Sequence, residues 1–269
     1  MIFHSLGSLF MCKMDMDRFI EIKEWQHVTE SNERIDYITK NLQIVQSEDV
    51  FSFSMDAVLL ARFAWVPITR GSIVDLCSGN GVIPLVLSTR SRVPITGVEI
   101  QPRLKDMADR SIQLNNLSAQ IQCIEADVRE TTVPIAQADL VTCNPPYFAA
   151  AGETEYHNNP HFDAARHERN GTLQDIVKAA SRMVKQKGKV AMVLRPERFL
   201  ELVHLYQQYG IEPKRAKWIH PLADRPANIL LLEGIKAGRP GLTIEPPLIV
   251  YDDQRQYTKE FRNYYEGSD

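Results

Sequence analysis

From residue 71 onward, short runs rich in β-branched residues alternate with longer segments of helical spacing. This alternation is typical of a parallel β-sheet whose strands are joined by crossover helices. We predict seven strands, with helices on both faces of a mostly parallel sheet. Because the last two strands follow each other closely, we expect an antiparallel strand at one sheet edge. The predicted strands are 72–76, 95–100, 121–125, 138–143, 189–194, 216–219 and 228–236.

The helical segments carry recognisable boundary residues. Pro102 begins one predicted helix, which ends near Asn115 and Asn116, residues that readily adopt the left-handed conformation. Thr172 and Asp175 have the spacing of a capping box, and Gly188 is the expected end of that helix. Further helices are predicted at 82–89 and from about residue 200 to 210.

The region before residue 71 has a different pattern. We predict a hairpin formed by 42–45 and 50–53 across 47–49, followed by an apolar helix at 57–65. The expected organisation is therefore in four parts. They are an N-terminal extension at 1–30, a hairpin and helix at 31–70 packed on the core, the core domain at 71–250, and a C-terminal tail at 251–269.

Composition excludes several classes of protein. Hydrophobic residues make up 44% and charged residues 24% of the 269 residues, as in ordinary globular chains. No run of about 18 apolar residues predicts a membrane span, and the N-terminus lacks the basic region of a secretion signal, so we expect a cytoplasmic monomer. The four cysteines form no Cys-x-x-Cys pair, which argues against a metal site and a disulfide framework.

The first predicted strand of the core leads into a turn of small residues and then into a helix. Small residues let the backbone approach a bound nucleoside closely and turn sharply. Glu99 ends the second strand, where a carboxylate accepts hydrogen bonds from both ribose hydroxyls. Asp127 ends the third strand segment and can accept from an adenine amino group. The pattern therefore predicts a nucleoside-binding loop.

The charge of this loop favours one cofactor. No Gly-Lys-Ser/Thr phosphate loop is present, and Asp75 would repel a pyrophosphate, which argues against NAD. S-adenosylmethionine (SAM) carries an ammonium and a sulfonium group and fits the acid. The predicted cofactor-binding residues are Asp75, Cys77, Ser78, Gly79, Asn80, Gly81, Glu99, Ile100, Asp127, Val128 and Asn144.

The tetrapeptide Asn144-Pro145-Pro146-Tyr147 follows the fourth strand, at the sheet edge where α/β folds bind ligands. A planar amine attacks a methyl group poorly because its lone pair is delocalised. Two acceptors, the Asn144 side-chain carbonyl and the Pro145 backbone carbonyl, favour the charge that develops on that nitrogen. Tyr147 offers a face on which a planar group stacks. These four residues are the predicted catalytic set.

Two clusters of basic residues are candidates for RNA contact. Lys178, Arg182 and Lys185 are predicted to share one helical face. Arg166 and His167 lie in a segment, 149–170, that we expect to be a mobile loop beside the acceptor tetrapeptide. Ordinary solvated surface is an alternative interpretation of both clusters.

The chain resembles the Rossmann-like class I methyltransferases that contain an Asn-Pro-Pro-Tyr motif. More narrowly, three flanking segments resemble the bacterial tRNA1(Val) adenine-N6-methyltransferases: the residues from Phe51 to Ala61, Ala165 to Glu168, and His220 to Asn228. The resemblance covers about residue 40 to the C-terminus. It implies SAM as the cofactor, tRNA as the substrate, and methylation of an anticodon-loop adenine. A protein glutamine N5-methyltransferase and a non-catalytic RNA-binding module are the alternatives.

Overall fold

A computed structural model describes residues 32–50, 53–130, 137–145 and 171–267. The described strands are β1 Glu33–Thr39, β2 Leu42–Ser47, β3 Ile73–Leu76, β4 Ile95–Glu99, β5 Ile121–Glu125, β6 Ala138–Cys143, β7 Val184–Leu194, β8 Ile211–His220, β9 Ile229–Lys236, β10 Thr243–Ile244 and β11 Leu248–Ile249. The described helices are α1 Met55–Phe63, α2 Val82–Ser88, α3 Pro102–Leu114, α4 Leu173–Met183, α5 Phe199–Gln208 and α6 Lys259–Glu266.

Among these residues, β3 to β11 form one large sheet. The order across it is β10-β8-β9-β7-β6-β3-β4-β5, and β11 also pairs with β8. The strands β7, β6, β3, β4 and β5 are mutually parallel. The predicted Rossmann-like architecture, with its mostly parallel sheet, is therefore confirmed.

The antiparallel part of the sheet is arranged differently from the prediction. The last two predicted strands do pair with each other, but β9 is antiparallel to both β7 and β8 and lies between them. The outer strand β8 is in turn covered by the short parallel strands β10 and β11. The antiparallel strand β9 is thus one position inside the edge. The chain passes from β7 through α5 to β8 first, and β9 then occupies the position between β7 and β8.

The N-terminal hairpin prediction was half right. Strand β2 covers the predicted 42–45, and its partner among the described residues is β1, which precedes it. Residues 51 and 52 of the predicted second strand lie outside the described residues. Residues Lys40 and Asn41 make the connecting turn. The two strands form a separate two-stranded sheet among the described residues. Only Ile38 among the seven residues of β1 is buried. The sequence of β1 therefore lacks the apolar pattern from which a strand is predicted.

Helix α4 begins as predicted and ends earlier. Its capping box is formed in both directions, with the Thr172 side chain accepting from Asp175 N–H and the Asp175 side chain accepting from Thr172 N–H. The helix ends at Met183, however, and β7 begins directly at Val184. The prediction that Gly188 ends this helix was wrong, since Gly188 lies inside β7. Lys185 is consequently a strand residue and shares no helical face with Lys178 and Arg182.

The C-terminal residues pack on the core through aromatic side chains. Phe261 of α6 is 2% exposed and its ring lies 4.8 Å from that of Tyr257 and 5.6 Å from that of Tyr265. Arg62 of α1 donates to the backbone carbonyls of Tyr265 at 3.1 Å and of Glu266 at 2.6 Å. These contacts fasten α6 against α1.

A buried carboxylate connects the end of α1 to the antiparallel strands. Glu233 of β9 is 1% exposed and lies 3.0 Å from the Arg215 guanidinium and 3.5 Å from the Lys189 ammonium. Its other oxygen accepts from Trp65 N–H at 2.8 Å. The Arg215 guanidinium also lies 4.5 Å from the Phe63 ring centroid. One acid therefore pairs with two cations and accepts from Trp65 N–H, two residues after the end of α1.

Replacing Glu233 by Leu should destabilise the fold by about 3 kcal/mol, because two partly buried cations and one amide lose their partner. Glu245→Ala removes a partner of the same Arg215 at a more exposed carboxylate and should cost at most about 1 kcal/mol. Urea unfolding of both variants measures the difference. Equal losses would contradict the special position of Glu233.

Candidate active site

The register of the parallel strands brings the predicted site residues to one sheet edge. Leu76 of β3 lies opposite Val98 of β4 and Cys143 of β6. Adjacent strands are about 4.8 Å apart. The residues that follow these three positions, Cys77, Glu99 and Asn144, therefore lie side by side at the carboxyl edge.

The loop between β3 and α2 has a tightly turned backbone. Three of its residues have left-handed conformations, with φ values of 54° at Cys77, 56° at Gly79 and 90° at Gly81. Gly81 is also the N-cap of α2. Two glycines adopt these values without strain, whereas Cys77 places a side chain in a region that favours glycine.

Glu99 stabilises the loop and lies at its side. One carboxylate oxygen accepts from Gly79 N–H at 2.8 Å, and the other accepts from Gln101 N–H at 3.0 Å. The side chain is 5% exposed, and this burial raises its pKa, while the hydrogen bonds from Gln101 and Gly79 oppose the rise. Each oxygen keeps a further lone pair, so the carboxylate can still accept from a diol.

Asp75 lies beneath the loop and is completely buried. One of its oxygens accepts from the Thr142 hydroxyl at 2.6 Å, and among the described residues Oδ2 has no hydrogen-bond partner. Burial raises its pKa to about 7, opposed by the hydrogen bond from Thr142. A nearby cation would compensate for the buried negative charge.

Asp127 already has a partner in the protein. The Nε atom of Arg129 lies 2.9 Å from both of its carboxylate oxygens, and the Arg129 backbone N–H also donates to Oδ1. The Arg129 guanidinium therefore lowers the pKa of Asp127. An adenine amino group that uses Asp127 as its acceptor has to share it with Arg129 or displace it.

Asn144 presents an unsatisfied acceptor. Its Oδ1 atom is buried and has no hydrogen-bond partner among the described residues. Cys143, which precedes it, is fully buried at the end of β6. A buried carbonyl oxygen without a donor costs free energy, so a site that retains one is suited to a ligand that supplies the donor. Pro146 and Tyr147 lie outside the described residues.

A cavity of about 1040 Å³, counted with its open mouth, brings these groups together. Most of the predicted residues line it, whereas Asp75 and Gly81 are not among the lining residues. The predicted lining residues are Cys77, Ser78, Gly79, Asn80, Glu99, Ile100, Asp127, Val128, Asn144 and Pro145. The cavity also contains the buried Ser78 hydroxyl, which has no partner among the described residues. A cavity lined by both apolar and polar residues, with buried polar atoms that have no partner among the described residues, fits a nucleoside-containing cofactor.

Part of the cavity lining was not predicted from the sequence. Phe53, Ser54 and Ala57, which lie just before α1 and in its first turn, line the cavity together with the glycine-rich loop. Gln101 and Leu104 of the following connection and helix add to the wall near Glu99. The segment from Phe51 to Ala61 resembles a known family, but that resemblance did not indicate that Phe53 lines the cavity.

The candidate RNA residues lie at different places. Arg182 donates to the carbonyls of Val128 at 3.1 Å and Glu130 at 2.7 Å, so it supports the segment that carries Asp127. Lys185 is paired with Asp139 near the amino end of β6, at the sheet edge opposite Asn144. Lys178 is exposed on α4. Arg166 and His167 lie outside the described residues.

No group of three or more His, Cys, Asp or Glu side chains in the described ranges is arranged to hold a metal ion. No helix within the described part of the chain is long and apolar enough to cross a bilayer. Of the three cysteines in these ranges, Cys123 and Cys143 are buried and Cys77 is half-buried.

The known proteins to which this sequence is similar are methyltransferases. Residues 41–158 match the family described as "Methyltransferase small domain". A curated protein of Flavobacterium psychrophilum, named tRNA1(Val) (adenine(37)-N6)-methyltransferase, is 27% identical over 82% of this chain and 94% of its own length. A protein of the same name from Haemophilus influenzae is 28% identical, over 82% and 93%.

Solved structures show the same fold. A predicted O-methyltransferase from Agrobacterium tumefaciens superposes with a TM-score of 0.63 at 24% identity, over 79% of this chain and 96% of that one. The M. jannaschii tRNA m1G37 methyltransferase has a TM-score of 0.55 at 17% identity, over 77% and 58%. The fold and the matches together define a SAM-dependent methyltransferase of class I. The chain is similar to both curated relatives along 82% of its length.

The buried Asp75 predicts a pH dependence of stability. Its pKa in the folded protein, about 7, is above that of an unfolded aspartate near 4. Folding therefore favours the protonated form, so the free energy of unfolding should fall as the pH rises from about 4 to about 7. Asp75→Asn keeps an acceptor for Thr142 but does not titrate. It should therefore abolish the part of the decrease in unfolding free energy that Asp75 causes, which is at most on the order of 4 kcal/mol.

Urea unfolding at pH 5 and pH 8 tests this expectation. The Asn variant should be more stable than the wild type at pH 8, and the two should approach each other at pH 5. Because Glu99 is unchanged in both proteins, its own contribution cancels in the comparison. Parallel stability curves across this range would show that Asp75 is ionised at little cost.

The Asp127–Arg129 ion pair leads to a prediction about cofactor affinity. Arg129→Ala should tighten SAM binding about two- to fivefold, because an exposed ion pair worth up to about 1 kcal/mol no longer competes for Asp127. Arg198→Ala removes a comparable pair with Glu201 on α5 and should leave the affinity unchanged. Calorimetric titration measures both, and weaker binding by Arg129→Ala would indicate that Arg129 itself contacts the cofactor.

Proposed function

We propose that this methyltransferase transfers a methyl group from SAM to the exocyclic N6 of an adenine in tRNA. The observation that carries the proposal is the buried Oδ1 of Asn144, which has no hydrogen-bond partner among the described residues and lies in the same cavity as Glu99 and the glycine-rich loop. The names of the curated relatives support the particular substrate, adenine 37 of tRNA1(Val). A planar amine supplies the donor that Asn144 lacks.

We propose that the cofactor is held along the ends of β3, β4 and β5. Glu99, already fixed by two backbone N–H groups, accepts from the ribose hydroxyls. The turned backbone at Gly79 and Gly81 leaves room for the nucleoside to approach the loop. The buried charge of Asp75 favours a cationic methionine moiety. When bound, SAM supplies a methyl group on a sulfonium, which is activated for attack by a nucleophile.

The acceptor residues act on the attacking nitrogen. As the N6 lone pair is drawn into the new bond, positive charge develops on its hydrogens, and the acceptors at Asn144 and Pro145 stabilise that charge. The carbonyl of Asn144 is preorganised because its strand is fixed by the parallel pairing with β3. The new N–C bond forms as the C–S bond of the sulfonium breaks, so the leaving group is the neutral thioether S-adenosylhomocysteine. The surplus N6 proton is released to solvent, so no general base is assigned and in-line positioning of the two reactants is the remaining requirement.

The substrate and its setting follow from the same proposal. An adenine in a loop has to turn out of its stack to enter a cavity at a sheet edge. We propose Tyr147 as its stacking surface and Arg166 and His167 as RNA contacts, all three of which lie outside the described residues. Lys178 remains a predicted contact as well. A tRNA substrate fits a cytoplasmic enzyme acting as a monomer.

Single-turnover methyl transfer tests the chemistry. Asn144→Ala removes one of two acceptors, which act mainly in the transition state, so the transfer rate should fall about 10²- to 10³-fold while tRNA affinity changes much less. The measurement uses labelled SAM and an unmodified valine tRNA transcript, with product nucleosides identified by mass spectrometry. N6-methyladenosine is the expected product.

Two controls make the result specific. Asn263→Ala, at an exposed position of α6, should leave the rate unchanged. A transcript in which adenine 37 is replaced by guanine should take up no label. Label in a glutamine side chain of a protein would favour the glutamine N5-methyltransferase alternative instead, and wild-type transfer by Asn144→Ala would refute the acceptor role.

A further inference from the structure

The outer edge of β2 is joined to the core by side chains instead of by another strand. The backbone of Gln43 exchanges two hydrogen bonds with the Asn115 side chain, at 3.0 and 2.7 Å. The N–H of Val45 donates to the Ser111 hydroxyl at 3.0 Å. Ser111 and Asn115 are one helical turn apart on α3, so this helix provides a polar row that replaces a neighbouring strand.

One further bond of this edge comes from the cofactor loop. The Nδ2 atom of Asn80 donates to the carbonyl of Val45 at 3.0 Å, and both groups are buried. Asn80 lies between Gly79 and Gly81, the two left-handed glycines of the loop. Glycine backbone has more conformational freedom than that of other residues. The side chain of Asn80, between the two glycines, therefore attaches this loop to the hairpin.

The next residue of β2, Gln46, bonds to the segment that leads into α1. Gln46 is 4% exposed, and its Oε1 accepts from Phe53 N–H at 3.0 Å. Its Nε2 donates to the Asp36 carboxylate of β1 at 2.6 Å. Phe53 lines the cavity, whereas Gln46 is not among its lining residues. Gln46 thus fixes the entry into α1 without touching the cavity itself.

We infer that the N-terminal hairpin is a positioning element of the cofactor cavity, in which Gln46 and Asn80 fix the distance between the start of α1 and the glycine-rich loop. Two consecutive residues of β2, Val45 and Gln46, bond to two different segments that line the cavity, so the strand connects these segments. Both segments are held before the cofactor binds, which lowers the ordering cost of binding. The inference rests on the cofactor cavity and is independent of which RNA is methylated.

The experiment uses Gln46→Met, which keeps the side-chain length and loses both hydrogen bonds. SAM affinity should weaken about tenfold, the factor that corresponds to losing one buried hydrogen bond and leaving Phe53 N–H unpaired. The full-length protein is titrated with SAM by calorimetry in the absence of RNA, and its melting temperature is recorded. Failure of the tRNA assignment would leave this measurement unaffected.

Asn115→Ala is the matched control. It removes the two bonds to Gln43 at the far end of the same strand, so its melting temperature should fall about as much as that of Gln46→Met. Its affinity for SAM should stay within twofold of the wild type. A merely structural role of Gln46 would weaken SAM binding equally in both variants, or in neither, and would overturn the inference.

Two further variants separate the positioning bond from stability. Gln46→Glu keeps an acceptor for Phe53 but repels Asp36, so it should lose melting temperature and retain nearly the wild-type affinity for SAM. Combining Gln46→Glu with Asp36→Asn reverses donor and acceptor within the pair and should restore the melting temperature. If Gln46→Glu binds SAM as weakly as Gln46→Met, the bond to Phe53 is not what positions the cavity. If Gln46→Met does not fold, this pair of variants decides the question.

Discussion

The parallel pairing of β3 with β4 on one side and β6 on the other is the constraint on which the site depends. It places Leu76 opposite Val98 and Cys143, and thereby brings the glycine-rich loop, Glu99 and Asn144 to the same edge. A shift of one residue in either pairing would move Asn144 or Glu99 by about 3.3 Å along its strand and turn its side chain to the other face. The complete burial of β3 protects this register.

That arrangement has an electrostatic consequence. Asp75 and Glu99 are both buried, and burial raises the pKa of both carboxyl groups. The protein compensates Glu99 with two backbone N–H groups, whereas Asp75 receives a single hydroxyl bond from Thr142. Asp75, the acid with fewer hydrogen bonds, lies below the loop, where a cationic ligand would supply the positive charge that offsets its burial. Stability is thus reduced at the position where ligand charge is useful.

The hairpin illustrates how the rest of the chain supports the site. Its first strand buries only Ile38, whereas five of the six residues of β2 are buried. Strand β2 depends on Ser111, Asn115 and Asn80 for the hydrogen bonds that a third strand would otherwise provide. The Glu233 network has a comparable role at the other end of α1, where it satisfies Trp65 N–H and holds Arg215 and Lys189. Helix α1 is therefore fixed near both ends by polar contacts, from Gln46 shortly before it in the chain and from Glu233, which is distant in sequence.

The sequence by itself determined the crossover architecture, the glycine-rich loop, the capping box at Thr172 and the candidate acids, because hydrophobic periodicity, small residues and strand-end positions are local properties. It did not determine that β1 pairs with β2, that β9 lies inside β8, or that a strand replaces the helix at Lys185. It also gave no indication of the Phe53 wall, of the Arg129 partner of Asp127, or of the Gln46 and Asn80 bonds. Only the tertiary structure decided these. The place of β9 and the Asn80 bond depend on which residues distant in sequence come together, and the Arg129 and Gln46 contacts depend on side-chain conformations that residue order does not specify.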